Sequence, residues 1–136
     1  MSGERKTIHV AVAVIENTDG HICITKRPEG KHLAGYWEFP GGKVESGEAV
    51  PQALGRELQE ELGISVLECE PFIMIKHSYA EMDVLLDVYM VTVFDGVARG
   101  AEGQELRWVS RSQLPKLSFP EANESIVEAL ISTSAA

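Results

Sequence analysis

With 136 residues, 44% of them hydrophobic and 24% charged, the chain is long enough to bury a core and too apolar to stay disordered. A net charge of −9 excludes the basic surface that displaces counterions from DNA or RNA, so no polynucleotide partner is expected. No apolar run approaches the roughly 20 residues of a membrane span, and a membrane is not expected either.

Met1 to Lys6 lacks the apolar segment of a signal peptide, which predicts a cytoplasmic location. Thr7 to Ile15 is a nearly continuous apolar, β-branched run, predicting a strand buried on both faces. Asn17-Thr18-Asp19-Gly20 has turn chemistry and His21 to Lys26 returns as a second strand, so a hairpin is expected. Arg27 to Trp37, with Pro28, Gly30 and Gly35, reads as a loop. A helix opens at Pro51, carries the apolar stripe Val50, Leu54, Leu58 and Leu62, and stops at Gly63. Ile64 to Tyr79 and Val84 to Phe94 are strand-like, separated by Ala80 to Asp83. Leu106 to Val109 is a short strand, and a last helix starts near Pro120 and runs through Ile126, Val127, Leu130 and Ile131. No repeat, low-complexity stretch or linker interrupts the chain, so residues 1–136 are expected to form a single α/β domain. Cys23 and Cys69 stand apart and predict free thiols, and the four histidines lack the spacing of a zinc site.

The chemistry concentrates in the first helix. Glu57, Glu60 and Glu61 fall within about 100° of one helix face. Like charges so placed destabilise a helix by a few tenths of a kcal/mol per pair, which invites a compensating cation. Carboxylate oxygens suit a hard ion such as Mg²⁺, and that ion in turn suits phosphates. Just upstream, Pro40-Gly41-Gly42 joins a rigid proline to two glycines, a turn that lets backbone approach a ligand or an ion closely.

From Gly42 to Ile64 the chain satisfies G-x5-E-x7-R-E-U-x-E-E-x-G-U, where U is aliphatic, through Gly42, Glu48, Arg56, Glu57, Leu58, Glu60, Glu61, Gly63 and Ile64. This pattern is the Nudix box, and the chain resembles the Nudix hydrolases, which cleave nucleoside diphosphates linked to a further group. The segments Cys23 to Arg27, Trp37 to Lys43 and Phe119 to Glu124 are similar to the bacterial MutT subgroup, and with the box the likeness spans most of the chain. The resemblance implies a three-layer α-β-α sandwich with a mixed β-sheet. It implies Mg²⁺, with Mn²⁺ as a substitute, held by Glu57, Glu60, Glu61 and a carbonyl of Gly41 or Gly42. Arg56 would orient a glutamate, Glu48 would pair with that arginine, and Glu102 matches a glutamate that acts as metal ligand or general base. Arg27 matches an arginine that meets nucleotide phosphate, and His32 with Glu38, Phe39, Pro40 and Gly41 matches positions lining the nucleotide pocket. Phe39 has two readings, against a base or in the core, and Arg27 a second one as a surface residue closing a strand.

Asn123 lies in the first turn of the last helix, on the stripe of Val127 and Leu130. One reading is a helix cap. The other is base recognition, because a carboxamide offers one donor and one acceptor. Guanine shows two acceptors, N7 and O6, on that edge. Oxidation at C8 turns N7 into a donor, which an amide then matches. Adenine's N6/N7 edge also fits, and this ambiguity stays open at the level of sequence.

The subgroup likeness implies hydrolysis of 8-oxo-dGTP to 8-oxo-dGMP and pyrophosphate, cleansing the nucleotide pool and preventing mutation. The expected protein is a monomer that takes a small nucleotide. Three rivals stand beside it: a hydrolase of CTP or a modified pyrimidine triphosphate, a Nudix-derived domain that senses nucleotides without cleaving them, and a plain structural or interaction domain, which the intact box disfavours. The Tyr79 to Asp83 loop departs from the subgroup pattern.

Overall fold

The computed structural model describes residues 6–28, 30 and 34–133. Seven strands and two α-helices follow in order: β1 (Lys6–Ile15), β2 (His21–Lys26), β3 (Trp37–Glu38), β4 (Gly41–Lys43), α1 (Val50–Leu62), β5 (Ser65–Ser78), β6 (Met82–Asp95), β7 (Leu106–Ser110) and α2 (Glu121–Ser132). A 3₁₀ turn at Arg111–Lys116 precedes α2.

The alternation along β1 sets the layers. Ala11, Ala13 and Ile15 face one way and pack with Ala53, Leu54, Leu58 and Leu62 of α1. Val12 and Val14 face the other way and pack with Ala122, Ile126, Val127 and Leu130 of α2. One apolar strand therefore serves two cores, which is why its sequence reads as a continuous hydrophobic run. Helices cover opposite faces of the β layer, giving the α-β-α arrangement. Ile131, also on α2, is exposed.

The expected β1–β2 hairpin does not form. β1 belongs to a four-stranded mixed sheet of order β4-β1-β6-β5, parallel to β6 and antiparallel to β4, whereas β2 is the centre of a separate antiparallel sheet, β3-β2-β7. Only a single bridge, Glu16 to Ile22, joins the two strands. A strand has two edges, and those of β1 are taken by β4 at Val10–Val12 and by β6 along Lys6–Ile15. The turn itself is as its residues suggest: the Asn17 side-chain oxygen accepts the N–H groups of Asp19 and His21 at 3.0 and 2.9 Å.

The end of α1 is sharp. Gly63 adopts φ 72° and donates its N–H to the Gln59 carbonyl, a left-handed cap that a Cβ would strain. The end of α2 is fastened by Arg111, which chelates Glu16 and also donates to the Leu130 carbonyl at 3.1 Å. None of the described helices is long and apolar enough to cross a membrane.

Leu58 is fully buried between α1 and β1. Leu58→Ala is expected to lower unfolding free energy by about 2–5 kcal/mol, through lost burial and the cavity left behind. Urea titration checks this, and an unchanged midpoint would contradict the packing described.

Candidate active site

The site is built where β4 meets α1. β4 lies against β1 with Gly42 opposite Ala11 and Gly41 opposite Val12. A Cβ on Gly41 would overlap the Ala11 carbonyl, and one on Gly42 would overlap the Glu57 carboxylate. Gly41 is therefore required by close approach of backbone, and a side chain at Gly42 would displace the Glu57 carboxylate. Pro40 contributes its carbonyl, which accepts the Ala13 N–H at 2.8 Å and fixes the entry into β4.

Arg56 organises one side of the cluster. Its Nε and Nη2 donate to Glu48 at 3.0 and 2.9 Å, its Nη1 donates to Glu57 at 2.8 Å, and Nη2 also reaches the Lys43 carbonyl at 3.1 Å. The Arg56 hydrogen bond, helped by the Glu45 N–H, holds the Glu48 carboxyl down to about 2. Arg56 is thus spent on orienting two carboxylates.

Glu61 occupies the other side. Burial raises its pKa first; the hydrogen bond and charge of Glu57 raise it further, as does the charge of Glu102, while the Gly41 N–H opposes them. Two carboxyl groups sharing a hydrogen bond need a proton or a cation between them. The Gly41 N–H donates to the Glu61 carboxyl. Glu60 is exposed.

Two adjoining cavities open beside this cluster. The first, about 210 Å³, is walled by Glu38, Gly41, Glu61, Glu102, Lys26 and Gln104. The second, about 400 Å³, is largely apolar and is walled by Val12, Leu86, Tyr79, Met82 and Asn123. Arg27, Glu38, Phe39 and Gly41 line both. Arg27 donates from Nη1 to Glu38 at 2.9 Å. Phe39 is buried and stacks on Phe119 with ring centroids 5.1 Å apart, so it is a core residue and a cavity wall at once.

Asn123 donates its backbone N–H to the Pro120 carbonyl at 2.9 Å, whereas its carboxamide has no hydrogen-bond partner among the described residues. The helix-cap role considered for that side chain is therefore not taken up. His32 lies outside the described residues. Lys26 and Gln104 are cavity residues that the sequence pattern did not single out. Cys23 is inert by position: burial pushes its thiol up to about 12.

Among the described residues, no three His, Cys, Asp or Glu side chains gather tightly enough to cage a metal by themselves. Carboxylate oxygens are hard donors that suit a divalent cation whose shell is completed by water and phosphate oxygens. The crowded, desolvated oxygens of Glu57 and Glu61 fit such a cation, and a soft metal would not choose them.

A family profile described as NUDIX domain matches residues 11–129. The chain belongs to the Nudix family. Nudix hydrolases generally depend on a divalent metal, in keeping with this donor set. An 8-oxo-dGTP diphosphatase of Haemophilus influenzae is 40% identical over 128 residues, spanning 94% of this chain and 94% of that protein. A CTP pyrophosphohydrolase of Escherichia coli K12 is 37% identical over 131 residues, 96% of each. A solved MutT structure, from work on Aliivibrio salmonicida and Vibrio cholerae, is 42% identical, covers 93% of this chain and 97% of its own, and superimposes with a TM-score of 0.81.

The Glu48–Arg56 pair makes a pH-dependent contribution with a defined sign. The Glu48 carboxyl is depressed in the fold, so its stabilisation is complete above the unfolded value of 4.5 and is lost as pH falls toward about 2. The stability gap between wild type and Glu48→Gln is therefore expected to be constant above about pH 5.5 and to narrow steadily below it. Urea midpoints at several pH values measure this; a gap that widens on acidification would contradict the assignment.

Proposed function

We propose that this Nudix hydrolase cleaves 8-oxo-dGTP to 8-oxo-dGMP and pyrophosphate with Mg²⁺, Mn²⁺ serving as substitute, and so removes an oxidised precursor before it enters DNA. The observation that carries the reading is the carboxamide of Asn123, unpartnered and lining an apolar cavity that adjoins the acidic one. An apolar space of about 400 Å³ suits a purine, and a lone amide in its wall supplies one donor and one acceptor. The oxidised edge of guanine presents the complementary pair, and the normal edge presents two acceptors. The match to the Haemophilus influenzae diphosphatase supports the same assignment.

The residues divide the work. Phe39 and the apolar wall receive the base, while Asn123 reads its edge. The triphosphate then extends toward Glu61 and Glu102, past Arg27 and Lys26, whose charges face its oxygens. When bound, the divalent ion neutralises the charge that develops on the phosphates. Glu57, Glu60 and Glu61 are the residues assigned to hold it, with Gly41 or Gly42 contributing backbone. Arg56 keeps Glu57 aimed, and the Gly41 N–H keeps Glu61 aimed. A water attacks the β-phosphorus, the bond from that phosphorus to the bridging α–β oxygen breaks, and the bridging oxygen leaves with the monophosphate. Glu102 or Glu61 accepts the proton released by the water. The reading includes one domain over residues 1–136, acting as a cytoplasmic monomer.

The likeness to the CTP pyrophosphohydrolase gives a specific reason to keep a second reading, CTP as substrate. A panel of 8-oxo-dGTP, dGTP, dATP and CTP at low concentration separates the two. The expected order places 8-oxo-dGTP first in kcat/KM; CTP in that place would overturn the proposal.

Two variants test the roles. Glu61→Gln is expected to fold normally and to lose roughly 100-fold or more in turnover, and wild-type turnover would contradict the mechanism. Asn123→Ala is expected to cut the preference for 8-oxo-dGTP over dGTP by roughly 10- to 100-fold, the equivalent of about 1–3 kcal/mol of edge recognition. An unchanged preference would remove Asn123 from base reading.

A further inference from the structure

We infer that Gln104 is a positioning residue that sets where Glu102 stands relative to Glu61. This rests on the proposed part of Glu102 in the reaction. The inference starts from the unsatisfied carbonyls that every helix leaves at its C-terminus. In α1 a distant loop satisfies them. Arg99 N–H donates to the Leu62 carbonyl at 3.1 Å and Ala101 N–H to the Glu61 carbonyl at 3.0 Å. The same Glu61 carbonyl accepts a second bond, from Gln104 Nε2 at 3.0 Å. The other end of that amide, Oε1, accepts the backbone N–H of Glu102 at 2.9 Å.

One planar carboxamide thus joins the main chain of Glu61 to the main chain of Glu102. Both residues line the same cavity, and the charge of Glu102 is felt at the Glu61 carboxyl. Glu102 sits on an exposed loop with no strand or helix of its own, between β6 and β7. The amide replaces that missing scaffold. A donor and an acceptor are needed at once, which explains glutamine where glutamate or lysine would satisfy only one end. Displacement of a reacting group by about 1 Å costs up to roughly 100-fold in rate, so a lost tether is expected to appear in turnover more than in binding.

The test is a double-mutant cycle with Gln104→Met, which removes both bonds at similar volume, and Glu102→Gln. Gln104→Met is expected to lower kcat roughly 10- to 100-fold with KM within about threefold of wild type. Added to Glu102→Gln, it is expected to change kcat by less than about twofold, because the two act as one unit. Gln104→Glu, which keeps the acceptor and loses the donor, is expected to match Gln104→Met. In the metal-free protein, amide hydrogen exchange at Glu102 is expected to accelerate in Gln104→Met, which removes the acceptor of its N–H. If Glu102→Gln is impaired and the effects simply multiply, or if Glu102 exchange is unchanged, the positioning role is overturned while the role of Glu102 stands. If Glu102→Gln turns over like wild type, the role of Glu102 falls and the positioning role with it.

Discussion

Everything in the site depends on one crowded contact, the meeting of β4 with β1 and α1 at Gly41 and Gly42. The strand backbone comes so near that a Cβ at Gly41 would meet the Ala11 carbonyl, and the space beside Gly42 is filled by the Glu57 carboxylate. Glu57 and Glu61 are pressed against main chain rather than projected into water. Burial and mutual repulsion both disfavour two charges there, as the raised pKa of Glu61 records. A site that is unfavourable when empty of cations is a site whose binding energy is available for a divalent ion and the phosphates it carries.

The rest of the local structure restrains that unfavourable arrangement. Arg56 is held by Glu48 and the Lys43 carbonyl, and can neutralise Glu57 without leaving its place. The loop from Arg99 to Gln104 closes the end of α1 and brings Glu102 to the same cavity. The apolar cavity belongs to the other core, between β1, β6 and α2, and meets the acidic one at Phe39 and Gly41. The two faces of β1 thus serve two cores, with the apolar cavity on the α2 side.

The local elements were legible where periodicity is strong. The apolar stripe of α1, its stop at Gly63, the β5–β6 pair and α2 all follow from patterns within a few residues. The hairpin failed because edge competition is a long-range matter: nothing near Asn17 announces that β4 and β6 occupy both edges of β1. β3 and β4 have two and three residues, too short for a pattern, and Pro40-Gly41-Gly42 reads as a turn when taken alone. The different burial of the three glutamates was readable but unread. On a helical wheel Glu61 lies about 20° from Leu54, between it and Val50 and so within the apolar stripe, with Glu57 about 60° and Glu60 about 120° from Leu54. Glu61 and Glu57 are partly buried and Glu60 is exposed. Gln104 was invisible for the same reason as the hairpin, since its partner on α1 is 43 positions distant.

The central claim is that the partly buried carboxyl of Glu61, beside Glu57, holds a proton in the metal-free protein and gives it up to a divalent ion. Calorimetric titration of Mg²⁺ into metal-free enzyme near pH 7, in two buffers of different ionisation enthalpy, reads that exchange directly. Binding heats that differ between the buffers, reporting proton release, and a difference abolished in Glu61→Gln, are the expected result. Identical heats in both buffers for the wild type, or Mg²⁺ affinity unchanged in Glu61→Gln, would contradict it.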